Sequence, residues 1–80
     1  MKKHYKQLIT YSIVLDNGNY LSITELTGKV TIITGVNFYD TDHPRPNIKE
    51  ITEQEFYTTT AGAFEKFEKT LTEINISENV

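Results

Sequence analysis

The chain opens in a two-residue rhythm and closes in a helical one. From Gln7 to Leu15 apolar and polar positions alternate. Ile9, Tyr11, Ile13 and Leu15 fall on one face and Thr10, Ser12 and Val14 on the other, the period of a half-buried strand. Asp16-Asn17-Gly18 follows, a strong local hairpin signal. The next alternation sets Leu21 and Ile23 against Tyr20, Ser22 and Thr24.

Parity decides the register. A two-residue Asn17-Gly18 loop would pair Ile13 with Ser22, mixing apolar and polar on each face. A three-residue loop of Asp16, Asn17 and Gly18 pairs Ile13 with Leu21 and Tyr11 with Ile23, and one face becomes consistently apolar. The pattern therefore predicts a type I turn with Gly18 left-handed in a G1 bulge. A two-residue Thr27-Gly28 loop continues the same face by pairing Ile23 with Ile32 and Leu21 with Thr34. The third strand then carries Val30, Ile32 and Val36 on one side and Thr31, Ile33 and Gly35 on the other. A rival local reading exists for residues 22–27. Ser22 and Glu25 form a capping box and Gly28 a helix stop, which would replace the strand's end by one helical turn.

Past residue 50 the spacing becomes three and four. Phe56, Thr60, Ala63, Phe64, Phe67, Leu71 and Ile74 make one helical stripe. Thr52 and Glu55 form a capping box, flanked by Ile51 and Phe56 at the staple positions. Glu53 and Glu55 suit the positive end of the helix. Asn75 reads as a left-handed stop, giving a helix over about 53–74. Gly62, beside the stripe, reads as a point of close approach to the sheet.

The expected fold class is α+β. A three-stranded antiparallel β-meander, with room for a short fourth strand at 47–51, packs one face on a C-terminal helix. The 80 residues form a single small domain, with 1–4 and 76–80 expected to fray. A domain of this size buries only about 60% of its unfolded surface. Without cysteine it has neither disulfides nor thiolate metal sites. A thin core makes self-association an attractive route to stability.

Charge narrows the function classes. Eight basic against eleven acidic residues give a net charge of −3, the wrong sign for a protein that binds by neutralising phosphates. The one basic cluster is Lys2, Lys3, His4 and Lys6. Together with Tyr5, Tyr11 and Tyr20 it supports an alternative reading, a nucleic-acid-associated accessory protein that stacks bases on tyrosine. No run reaches the ~18 apolar residues of a membrane span, and the N-terminal pattern lacks a cleavage site. The expected setting is cytoplasmic.

Candidate chemistry concentrates in "FYDTDHPRPN", residues 38–47. Asp40-Thr41-Asp42 begins like a calcium loop, but Pro44 and Arg45 stand where an oxygen ligand and glycine are required. Asp40, Asp42 and His43 make a third reading, a small enzyme or metal site. Adjacent side chains on an extended segment diverge, however, and no nucleophile accompanies them. Pro44 and Pro46 hold their predecessors extended. The stretch reads as a stiff crossover into the helix, with no catalytic residue, cofactor or metal assigned.

One surface remains. The face away from the helix would carry Thr10, Ser12, Val14, Tyr20, Ser22, Thr24, Thr31, Ile33 and Gly35, almost without charge. Depletion of charge with aromatic content is the composition of an interface centre. The preferred expectation is a non-catalytic binding or regulatory module that contacts a protein partner, or itself as a homodimer, through Val14, Tyr20, Ser22 and Ile33.

Overall fold

A computed structural model describes residues 1–40, 42 and 44–78. It shows an antiparallel sheet packed on one C-terminal helix, the α+β arrangement expected from the pattern. The strands are β1 (Lys3–Gln7), β2 (Thr10–Val14), β3 (Tyr20–Leu26), β4 (Lys29–Gly35) and β5 (Lys49–Ile51), and the helix α1 spans Glu53–Glu78. Across the sheet the order is β4-β3-β2-β1-β5.

Both predicted hairpins have the register that parity requires. Ile13 pairs with Leu21, Tyr11 with Ile23 and Val14 with Tyr20. Leu15 N–H donates to Asn19 O, Gly18 N–H donates to Leu15 O, and Gly18 has φ +89°, as in a type I turn closed by a G1 bulge. Ile23 pairs with Ile32 and Leu21 with Thr34. The helical turn weighed for 23–27 does not form, because β3 runs as strand to Leu26.

The strand count is where the structure departs from the pattern. "QLITYSIVL" is not one strand. The chain turns at Leu8 and Ile9, pairing Gln7 with Thr10 and His4 with Ile13. Leu8 takes φ 55°, an uncommon conformation for a side chain of that size, so no turn residue announced the bend. Lys3 and His4, expected to fray, lie in β1, and His4 is buried against Phe56 at 5.3 Å between ring centroids. The option at 47–51 is realised as β5, paired to β1 through His4–Ile51 and Lys6–Lys49.

The core lies between sheet and helix. Phe56, Ile23 and Ala63 are its buried centre, with Tyr11, Ile13, Val30, Ile32, Ile51 and Phe64 packed around them. Burial of one such large side chain is worth about 1.5–3 kcal/mol. Thr52 caps the helix, its Oγ1 accepting Glu55 N–H at 3.0 Å. Thr60, buried in the stripe, satisfies its hydroxyl by donating to Phe56 O at 2.8 Å. Gly62 does not mark close approach, since a methyl group there would meet nothing within 4 Å. Asn75 does not end the helix, which runs on to Glu78. No helix among the described residues is long and apolar enough to cross a membrane.

β4 and β5 sit at opposite edges, so the connection between them must traverse the sheet. The helix occupies one face, and Phe38, Tyr39 and Arg45 lie on the other, against Tyr5 and Tyr20. The face that alternation left open is therefore partly covered.

Candidate association surface

Phe38 anchors the crossing chain. Its N–H donates to Gly18 O at 2.9 Å, and its ring stacks on Tyr5 (5.3 Å) and meets Tyr20 edge-on (5.2 Å). The Arg45 guanidinium lies 4.2 Å from the Phe38 centroid and 5.2 Å from that of Tyr20, a cation–π clamp. Arg45 Nε–H donates to Phe38 O at 3.2 Å. Gly35 is required beneath this cluster, because a Cβ there would come within 2.7 Å of the Tyr20 ring.

The four residues expected to form a contact site do not share one environment. Val14 is fully covered, at 0% exposure. Tyr20 is half-buried between Phe38 and Arg45. Ser22 is half-buried, and its hydroxyl bonds to that of Ser12 at 2.6 Å. Thr10 and Thr24 pair their hydroxyls likewise at 2.9 Å. Ile33 stands out to solvent at 55% exposure. The accessible part of this face is thus its β3–β4 side, centred on Ile33.

The tyrosines and lysines of the nucleic-acid reading are not assembled into one platform. Tyr5 and Tyr20 lie under the crossing chain, whereas Tyr11 faces the helix, with its ring 6.5 Å from Phe56 and Lys6 Nζ 5.8 Å above it. Tyr5 has a perturbed phenol. Burial, reinforced by its hydrogen bond to Tyr39 Oη (3.2 Å), pushes its pKa up to about 12.

In the acidic segment, Asp42 N–H donates to Asp40 Oδ1 at 2.9 Å, the local closure that an aspartate gives a turn. His43 lies outside the described residues. Among the described residues no three of His, Asp and Glu gather as a metal site. An open hollow of about 500 Å³ sits between Tyr5, Tyr39, Pro44, Arg45 and Ile48, floored by the rings that hold the crossover in place.

A row of exposed apolar side chains lies on the helix. α1 starts beside β5, passes His4 and Tyr11 at Phe56, and reaches β3 where Lys66 Nζ donates to Glu25 at 2.9 Å. Val30 and Ile32 of β4 pack there against the core. The remaining twelve residues carry the helix about 18 Å further, beyond its contact with Glu25 near the β3–β4 turn. The molecule measures 47 Å along its greatest axis, roughly twice the sheet's ~20 Å width. On this overhang Phe67, Leu71 and Ile74 are 42%, 47% and 50% exposed.

These residues belong to the predicted stripe, but their position beyond the sheet was not legible in it. A stripe tells which side of a helix is apolar, not how much sheet lies beneath. Comparison of the chain with protein families, characterised proteins and solved structures found no match.

Proposed function

We propose that this protein is a non-catalytic association module that works by contact with another folded chain through its β4 side and the overhanging half of α1. One observation carries the reading. The chain exposes 6075 Å², whereas a compact monomer of its 9.2 kDa mass should expose about 4,900 Å². The excess of about 1,100 Å² exceeds the ~800 Å² that each partner contributes to a standard interface. Ile33, Phe67, Leu71 and Ile74 are among the exposed apolar side chains, and the contact is assigned to them. Ser22, beside Ile33, lies at its rim. Val14 and Tyr20 support the surface from beneath the crossover.

Solution mass tests this. At low micromolar concentration the mass should approach 9.2 kDa and should rise with concentration, or with addition of a captured partner. Leu71→Lys should abolish either rise. A constant monomer mass, with no partner whose binding depends on Leu71, overturns the proposal.

A further inference from the structure

The two edges of the sheet are treated differently. β5 is three residues long, carries Lys49 and Glu50, and follows a segment with Pro44 and Pro46. Short length, charge and proline are the devices that blunt an edge against pairing. β4 has none of these after Lys29. It is seven residues long, and its Val30-Thr31-Ile32-Ile33-Thr34 run is uncharged and wholly β-branched. The free groups of this edge can be named. The two-residue turn at Thr27-Gly28 makes Leu26 and Lys29 a hydrogen-bonded pair. By alternation Thr31, Ile33 and Gly35 also bond toward β3. Val30, Ile32 and Thr34 therefore turn their N–H and C=O groups outward.

We infer that this edge takes a second copy of the same chain, β4 against β4 antiparallel about a twofold axis at Ile32, with the two helix overhangs packed side by side above the joint. The inference rests on the association reading above. In that register Ile32 meets Ile32 of the partner subunit, and Val30 meets the partner's Thr34. All three outward-facing residues find partners, giving about six backbone hydrogen bonds. On the opposite face Ile33 lies against the partner's Thr31. The sheet becomes continuous, with ten strands and both helices on one side.

The helices reach this arrangement with a small lean of their overhanging turns. Lys66 is tied to Glu25, which pairs with Val30, so α1 leaves the sheet over the turn-side half of β4. At the level of Val30 that exit lies two residues from the axis, about 7 Å at 3.4 Å per residue. The twofold puts the partner helix an equal distance on the other side. The resulting separation of about 14 Å closes to the 8–10 Å of packed helices when the overhanging turns of each helix lean about 2–3 Å toward the joint. Phe67, Leu71 and Ile74 extend over the joint, where the partner's equivalent residues run antiparallel to them. Glu65, Lys66, Glu68 and Lys69 flank the stripe with both signs, so two copies do not repel. The same step covers the open edge and the uncovered stripe, features that lie on one side of the molecule.

Thr34→Pro and Leu71→Lys separate this geometry from association in general. The Thr34 N–H points outward, so proline there removes only an edge donor and the monomer sheet tolerates it. Leu71 lies beyond the sheet. Each variant should keep its circular dichroism spectrum and raise the dimer dissociation constant at least about thirtyfold, as loss of a central contact does. Hydrogen exchange should show the Val30, Ile32 and Thr34 amides slowed at high wild-type concentration and fast in Leu71→Lys. If Thr34→Pro unfolds, the exchange pattern of the wild type and of Leu71→Lys decides. A dimer in which those three amides exchange fast overturns this pairing but leaves the association reading standing. A wild-type chain that is monomeric throughout, yet binds another protein in a Leu71-dependent way, also overturns the self-pairing alone. A monomer with no such partner removes both.

Discussion

Tyr5 shows how a single residue joins strand, crossover and solvent. It sits on β1 opposite Ser12, stacks on Phe38 and bonds Tyr39. Its phenol ordinarily titrates at 10.0 and here is pushed up to about 12. The folded state thus favours the neutral ring. The stabilisation is fully present below pH 10 and is lost as pH rises from 10 through about 12, because the unfolded chain gives up the proton first. Wild type should therefore lose stability across that window more steeply than Tyr5→Phe, measured as the denaturant midpoint at each pH. Equal slopes would mean that the phenol is not held by the crossover. The residue was visible in the sequence as a candidate stacking aromatic. Its engagement with Phe38 and Tyr39, more than thirty residues away, was not.

At the scale of elements, the strongest local signals gave the right structures. Asp16-Asn17-Gly18 and Thr27-Gly28 each set their turn, because Gly18 and Gly28 take left-handed conformations at no steric cost, with Thr27 also at φ 50°. Thr52 and Glu55 marked the helix start. Thr52→Ala should cost about 0.5–2 kcal/mol, read from the unfolding midpoint, because Glu55 N–H loses its acceptor. An unchanged midpoint would show that the cap contributes nothing. The bend at Leu8-Ile9 was missed for the complementary reason. It contains no glycine, asparagine or aspartate, and the alternation read straight through it. Pairing of His4 with both Ile13 and Ile51 holds β1 as the strand between β2 and β5, a tertiary demand that outweighs the local cost of φ 55° at Leu8.

The whole molecule is extended for its length. Its radius of gyration is 14.3 Å, against about 11.6 Å for a compact chain of 80 residues. The sheet and the first half of α1 form a packed body. The second half of α1 adds length and apolar surface without adding core. If association covers that surface, folding and association are linked. The thermal midpoint of the wild type should then rise with protein concentration, while that of Leu71→Lys should not. A midpoint independent of concentration would show that the monomer alone sets the stability.

The sequence by itself determined the periodicity of each half, the register of two hairpins, the helix start and which face of β2, β3, β4 and α1 is apolar. These follow from neighbours within a few residues, where side-chain alternation and turn chemistry act directly. Tertiary structure alone decided that β1 folds back onto β2 and that β4 and β5 take opposite edges. It also decided that Val14, paired with Tyr20, is fully covered and that the Phe67–Ile74 stripe stays exposed. Each depends on where distant segments meet. A hydrophobic pattern records that a side chain needs cover, but not which segment reaches it, or whether any segment of its own chain does.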